Sequence, residues 1–315
     1  MASYEEKVQK SIDFLRFFNK ADDPYYLCYS GGKDSDVIRI LADISGVNYE
    51  IHNNHTTVDA PETVFYIKEV FAKYGEMKFD KETKTRSYGD KAFIHYPKEN
   101  MTKLIIKKAY PPTRIARYCC EELKEHGGFG RRKVTGVRWA ESLNRKNNQG
   151  LITVWSNSKG VKERVADTNA EYKVNRHGGI ILNMDNDETK DLIETCYRTT
   201  STLINPIIEW TDEDVWRFLN ENKCKSNPLY QQGYSRIGCV GCPMSGRRMK
   251  REFARYPGYR KLYVRAFDLM IEERRRRGLT DKLGCWNCGE EVMRWWVGDD
   301  PNQMTIDDWL EQEEE

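Results

Sequence analysis

The sequence predicts an α/β fold, a doubly wound, mostly parallel sheet with helices on both faces, followed by a cysteine-containing helical C-terminal extension. Three observations predict it. Short apolar runs alternate with amphipathic stretches as far as about Ile208, which is the rhythm of β–α–β units. One of those runs, YYLCYS at 25–30, ends in a Gly-Gly turn, as strand-to-helix junctions in such sheets do. After Gly233 the rhythm stops and gives way to cysteine pairs, a basic stretch and an acidic tail.

Taken in order, Val8, Ile12, Leu15 and Phe18 recur along one face and predict a first helix. YYLCYS then reads as a short buried strand, Gly31-Gly32 as its turn and 34–44 as the next helix. VNYEIH (47–52) is a second strand and NNHTTVDA (53–60) a polar loop. Pro61 suits the first turn of a helix over 62–74. KVTGV (133–137), GIIL (179–182) and LINPII (203–208) are further strands. Pro206 makes the last of these an edge strand or a strand end. The polar stretch 144–178 reads as an insertion. These boundaries divide the chain into a nucleotide-binding α/β domain over 1–234 and an extension over 235–315. In the extension 258–278 reads as a basic helix, with Tyr259, Leu262, Ala266 and Met270 as its core face. Trp295 and Trp296 read as the cover of that segment's core. The sequence holds no internal repeat.

At 315 residues, with 39% apolar and 32% charged side chains, the chain has the composition of a soluble globular protein that buries a sizeable core. No apolar run is long enough for a membrane span. The opening MASYEEKVQKSIDFLRFF mixes acidic and basic residues, unlike a signal peptide, so a cytoplasmic location is expected. Net charge is only +2, but 247–277 carries twelve Lys/Arg against four Asp/Glu, while 299–315 carries eight acidic residues and no basic one. The basic stretch can meet nucleotide phosphates or a nucleic acid, and the acidic tail can mask it.

Of nine cysteines, six fall in three tight pairs: Cys119-Cys120, Cys239-x-x-Cys242 and Cys285-x-x-Cys288. In a reducing compartment such pairs point to metal ligation or redox chemistry, not to structural disulfides. Cys28, Cys196 and Cys224 stand alone and read as structural.

The string Ser30-Gly31-Gly32-Lys33-Asp34-Ser35 lies where a strand hands over to a helix. Exposed amides and the positive end of the helix dipole favour an anion there. The glycines let the backbone approach phosphate oxygens. Ser30 and Ser35 add hydroxyls, and Lys33 adds a charge. A plain glycine turn would need none of these extra groups.

SGGKDS resembles the PP-loop of the ATP-pyrophosphatase and phosphoadenosine-phosphosulfate (PAPS) reductase superfamily, and it is not a Walker loop. The resemblance continues through GVRWAESLNR (136–145), NPIIEWTDEDVWRFL (205–219) and NPLYQQGYSRIGCVGCP (227–243), in family order. It implies an adenine nucleotide alpha hydrolase-like, Rossmann-like fold. The implied nucleotide contacts are Ser30 to Ser35, Glu62, Gly136, Arg138 and Arg145. Both arginines are suited to phosphate or sulfate by their guanidinium forks. In NNHTTVDAPET (53–63) only the second half matches the family, so Glu62 and Thr63 are better candidates than His55 or Asp59. His55 also reads as a loop histidine satisfied by its neighbours.

Cys119-Cys120 with Cys239-x-x-Cys242 is similar to the set that holds one [4Fe–4S] cluster in adenylyl-sulfate reductases and in some DNA-sulfur-modification enzymes. Zinc and four buried thiols are the alternatives. Cys288 stands near the place of the reductases' attacking cysteine, without their Glu-Cys-Gly-Leu-His setting. It is a candidate nucleophile, and pairing with Cys285 in a metal or dithiol site, or a structural role, are its alternatives.

The resemblance thus implies thiol-dependent reduction of adenylyl sulfate or PAPS to sulfite, with Cys288, Lys33 and Arg138 as catalytic candidates. A thiol donor such as thioredoxin would be its partner. The intact PP-loop implies a rival chemistry: ATP cut to AMP and pyrophosphate, with magnesium as an optional companion. That would activate a nucleic acid or other acceptor for sulfur transfer from a sulfur donor. A third reading is a nucleic-acid-binding accessory protein, since RRMKREFARYPGYRKLYVR interleaves basic and aromatic residues. An oligomer is compatible with each.

Overall fold

The computed structural model describes residues 2–125, 127–155, 172–183, 186, 189, 201–246, 248–279 and 286–299. Along the chain its helices are α1 (Tyr4–Phe17), α2 (Lys33–Ser45), α3 (Pro61–Phe71), α4 (Met101–Lys108), α5 (Tyr118–Leu123), α6 (Leu143–Asn148), α7 (Asp212–Glu221), α8 (Arg248–Arg255), α9 (Pro257–Arg276) and α10 (Gly289–Val297). Its strands are β1 (Tyr25–Cys28), β2 (Tyr49–Asn54), β3 (Met77–Asp80), β4 (Thr85–Tyr88), β5 (Ala92–His95), β6 (Arg132–Val134), β7 (Ile152–Trp155), β8 (Tyr172–Val174), β9 (Ile180–Leu182) and β10 (Ser201–Ile204). Two compact units emerge. One comprises Met1–Asn54, Pro61–Tyr96 and His126–Ile237; the other His55–Ala60, Pro97–Glu125 and Gly238–Glu315.

All the strands lie in the first unit, in one sheet of order β3-β4-β5-β2-β1-β6-β10-β7-β9-β8. The central run β5-β2-β1-β6-β10 is parallel, as βαβ crossovers require. Both wings are antiparallel. The expected strands at 25–30, 47–52, 133–137 and 179–182 are all present. Of the two alternatives for LINPII the strand end is the one observed: β10 stops at Ile204, before Pro206, and is an interior strand between β6 and β7. Pro206 falls just outside the ladder, where its missing N–H costs nothing. The polar stretch 144–178 contributes β7 and β8 to the sheet, and the hairpin of β3 and β4 has no counterpart among the expected elements. β3 is fully exposed and therefore carries no alternating pattern to read.

The helices start where the chemistry says they should. Ser3 and Glu6 close a capping box on α1, and Thr211 and Asp214 close another on α7, each satisfying two orphan amides. The first unit's core includes Leu15, Leu27, Val37, Leu41, Ile51, Val134, Ile204 and Trp210.

In the second unit α9 packs against α4 and α10. Its core face is Tyr263, Ala266, Phe267, Met270 and Ile271. The expected face is therefore turned by about one residue, because Leu262 is 41% exposed and Tyr259 donates its hydroxyl to the Asp59 carbonyl (2.8 Å). Trp296 is buried against Tyr263, Phe267 and Phe253, as expected, while Trp295 is half-buried beside Trp286. Part of the basic run turns inward: Arg274 is buried and donates to the Ala109 and Leu279 carbonyls.

Candidate active site

The glycine loop joins β1 to α2 within the first unit. Gly31 has φ +72°, and a Cβ there would sit 2.8 Å from Ile67 Cγ1, so both conformation and space demand glycine. Gly32 is the N-cap of α2. Its amide donates to Ser35 Oγ (3.1 Å), and the Lys33 amide donates to the Tyr230 hydroxyl (2.8 Å). Two hydroxyl oxygens thus occupy the donor end of α2, where an anion's oxygens would be favoured. Gly136 has a similar necessity, since a Cβ on it would lie 2.8–2.9 Å from Asp34 Cβ, carbonyl carbon and oxygen. The chain after β6 thereby presses directly on the start of α2. Asn227, fully buried, donates to the Gly31 carbonyl and to Thr63 Oγ1 (3.1 Å each). Thr63 and the half-buried Glu62 lie in the first turn of α3.

Charged groups are wired around this loop. Lys33 is buried, with Nζ 3.1 Å from Asp212 Oδ1 and 3.4 Å from the Ser235 carbonyl oxygen. Arg138 is 1% exposed. It bonds Asp34 (2.7 Å), Asp212 (2.7 Å) and the Trp210 carbonyl (3.2 Å). Partial burial works against the Asp212 charge, but bonds from Lys33 and Arg138 outweigh it and hold that carboxyl below its usual range. Arg145, on α6, pairs with Glu141 (3.2 Å). Its own charge is disfavoured, first by burial and then by repulsion from Arg236 and Arg138, against the pull of Glu141. Arginines crowded in this way are relieved by an added anion.

Sequence reasoning named Ser30, Lys33, Arg138 and Arg145. It missed Tyr230, Asp212, Asn227 and Arg236. The signal for Arg236 was its place in YSRIGC, three residues before a cysteine; the other three carried none beyond lying in matching segments.

The second unit brings Cys119, Cys120, Cys239 and Cys242 to one pocket, together with Thr56, Met101 and Lys124. Cys119 and Cys120 lie at the start of α5, and Cys239–Cys242 form a turn whose Val240 amide donates to the Val58 carbonyl (2.8 Å). Gly241 has φ +72°, and a Cβ there would meet Phe253 at 2.6 Å. Its amide donates to Glu252 of α8 (3.0 Å), whose other oxygen accepts from Ser245 Oγ (3.1 Å). Cys120 is held below the usual thiol range, first by its bond to Cys119 and then by Arg117. Burial pushes the Cys239 thiol up, and Lys124, facing it, is held in its charged form.

Four thiols are the donor set of an iron–sulfur cubane. The space among them is about 20 Å³, so a cluster would seat only as they move apart. Among the described residues no three His, Cys, Asp or Glu side chains form a group that could hold a metal ion. His55 accepts from the Thr57 amide (2.8 Å) and lies 3.4 Å from Asp59, in keeping with a locally satisfied loop histidine. Cys288 is exposed at the N-cap of α10. Cys285 and Cys196 lie outside the described residues. No helix among them is long and apolar enough to cross a membrane.

Residues 24–245 match the family model for the phosphoadenosine phosphosulfate reductase domain. Among curated relatives, an uncharacterized protein of Methanocaldococcus jannaschii is 25% identical over 260 residues, 80% of this chain and 48% of that protein. The adenosine 5′-phosphosulfate reductase of Anoxybacillus flavithermus is 26% identical over 155 residues, 47% of this chain and 58% of that enzyme. The chain thus spans about half the length of these relatives. A solved structure of phosphoadenylyl-sulfate reductase from Candida auris, in complex with phosphate, aligns with TM-score 0.43 and 16% identity over 77% of this chain and 98% of that one.

Proposed function

The chain belongs to the phosphoadenosine phosphosulfate reductase family of the PP-loop superfamily, and from that premise we propose that it is an adenine-nucleotide enzyme of sulfur chemistry that reduces adenylyl sulfate or PAPS to sulfite. The observation that carries the nucleotide half is the loop itself, with Gly31 at φ +72° and the Gly32 and Lys33 amides meeting hydroxyl oxygens at the donor end of α2. Ser30 to Ser35 would cradle phosphate oxygens with the amides of α2, while Lys33 and Arg138, fixed by Asp212 and Asp34, stabilise charge as it develops. Glu62 and Gly136 would complete the contacts.

The sulfur step is a two-electron reduction. A thiolate, for which Cys288 is the candidate, attacks the sulfate sulfur, and the bond from that sulfur to the phosphate oxygen breaks with its electron pair. The nucleotide leaves as AMP, or from PAPS as adenosine 3′,5′-bisphosphate, and a thiosulfonate remains. A second thiol from a thioredoxin-like donor attacks the cysteine sulfur, forming a disulfide and releasing sulfite. Cys119, Cys120, Cys239 and Cys242 would hold a [4Fe–4S] cluster after their side chains part, and the family match over 24–245 is what supports that reading. Such a cluster would supply an iron centre able to take up electron density. Zinc is the alternative occupant.

A specific observation favours a second reading, ATP-dependent sulfur transfer to a nucleic acid or other acceptor. The PP-loop string Ser30 to Ser35 is intact, and Gly31 holds a left-handed φ of +72° at its turn. Protein purified without oxygen would be assayed for iron, sulfide and zinc, then supplied separately with ATP, adenylyl sulfate and PAPS. Sulfite from a sulfated nucleotide, lost in Cys288→Ser, is expected. Pyrophosphate from ATP without sulfite would replace the first reading by the second. Salt-sensitive binding of nucleic acid without any turnover would replace both by the accessory reading.

A further inference from the structure

The two hydroxyls at the donor end of α2 are not equivalent. Ser35 Oγ accepts from the Gly32 amide (3.1 Å) and donates to the Gly32 carbonyl (2.7 Å), so both of its functions are spent inside the loop. The Tyr230 hydroxyl accepts from the Lys33 amide (2.8 Å), and its own proton meets no acceptor among the described residues. Burial holds this phenol above its usual range, against the pull of the Lys33 amide, so the proton stays on the oxygen at neutral pH. A hydroxyl can donate and accept at once. Here the donor half is left over beside a helix N-terminus, where an anion's oxygens are favoured.

Tyr230 is braced on the loop. It opens the short 3-10 turn Tyr230–Gln232, and its amide donates to the Asn227 carbonyl (3.1 Å). Asn227, fully buried, ties that turn to the loop through the Gly31 carbonyl, and Leu229 beside it is buried too. The Tyr230 ring stands edge-on to Trp216 with centroids 5.0 Å apart, and Lys33 Nζ lies 5.9 Å from the ring centroid. A donor held in this way is ordered before a ligand arrives. A cap that served only the Lys33 amide would need an acceptor and nothing more; the phenol brings a donor as well.

On the reading of the loop as a nucleotide-phosphate seat, we propose that Tyr230 is a substrate-binding residue of that seat. Its hydroxyl stays on the Lys33 amide and donates its proton to a phosphate oxygen of the bound nucleotide. The donor character of the α2 N-terminus is thereby passed through the phenol to the anion. Hydrogen bonds in series strengthen one another, and the acceptor at the end of this one carries charge.

Tyr230→Phe removes the hydroxyl and keeps the ring, and Tyr230→Leu is run beside it as a second hydroxyl-free variant. Affinities of the intact protein for ATP, adenylyl sulfate and adenosine are measured by calorimetry, with the circular dichroism of each variant checked against the wild type. In both variants the affinity for a nucleotide that the wild type binds should fall about tenfold, while adenosine binding stays as in the wild type. The sign decides the matter. A hydroxyl that merely capped α2 would compete with the anion for the Lys33 amide, so Tyr230→Phe would then bind the nucleotide as well as the wild type or more tightly. That result overturns the proposal and leaves the loop's nucleotide reading intact. An equal loss for adenosine also overturns it, since the damage would not belong to the phosphate. Binding of neither ATP nor adenylyl sulfate by the wild type overturns the loop's reading, and this proposal with it.

Discussion

The glycine-loop region and the cysteine pocket solve the problem of a reactive site in opposite ways. Around the loop, charge is already paired: Asp212 bridges Lys33 and Arg138, and Asp34 holds Arg138 from the other side. In the cysteine pocket the reactive groups are thiols tied to one another and to one lysine, and the order comes from hydrogen bonds that involve the backbone. These are Gly241 to Glu252, Tyr263 to the Val240 carbonyl, and Trp296 to the Pro112 carbonyl. The first region is stable because of its charges. The second is stable because of its packing, and leaves its thiols unspent.

The largest effect expected from that contrast is at Arg138. Replacing it with Ala leaves Asp34 and Asp212 facing each other without the cation and opens a cavity, a loss of about 3–5 kcal/mol. Urea unfolding of ligand-free, metal-free protein measures it. Under the same conditions Cys242→Ser should cost less than about 1 kcal/mol, because the half-buried thiol carries little of the packing. The contrast breaks if the two variants lose equal stability.

Glu252 sharpens the comparison from the cysteine side. Glu252→Ala removes the acceptor of the Gly241 amide and of the Ser245 hydroxyl, both at a buried turn. The expected loss is about 1–3 kcal/mol, with faster alkylation of Cys239 and Cys242. Glu252→Gln keeps an oxygen for the amide and should recover most of the loss. Alkylation at the wild-type rate in Glu252→Ala would show that the turn is held by its own backbone.

The same contrast explains what the sequence made legible. The glycine loop is contiguous, so six adjacent letters disclosed it, and the strand and helix on either side followed from their apolar runs. Arg138 and Arg145 were legible through their segment. Tyr230, Asp212 and Asn227 were not, because each reaches the loop from some 160 to 200 residues away and only the sheet order brings them there. The cysteines were legible as pairs. The helical character of the extension was legible too, but not that α4 and the loop at 55–60 join the C-terminal helices, which they do across long sequence gaps. Within the antiparallel wings β3 and β8 escaped because they are exposed throughout, and an exposed strand has no buried face to mark its period.

The smallest effect tests whether the first unit governs acid stability near neutrality. His52 is buried, stacked on Tyr26 with centroids 3.7 Å apart, and its Nδ1 lies 3.0 Å from His95 Nε2. Burial first, then His95 and Arg131, depress its pKa to about 2. The unfolded chain, with a histidine near 6.5, therefore binds the proton first. The His52 contribution is complete above pH 6.5 and is lost as pH falls from there toward 2. Asp36 has the opposite sign. Burial raises it to about 6, so its contribution is complete below about pH 4 and is lost as pH rises through 6. Subtracting the unfolding free energy of His52→Gln from that of the wild type isolates the histidine. Relative to its value at pH 7.5, that difference should shrink by about 2 kcal/mol at pH 5, from a slope of at most about 1.4 kcal/mol per pH unit. With Asp36→Asn as background, the opposing slope disappears and the acid loss steepens. A pH-independent difference between wild type and His52→Gln would move the acid sensitivity out of the sheet unit. The carboxylates of the helical unit that arginines hold below the usual range, Glu273 and Glu290, would then be the next groups to titrate.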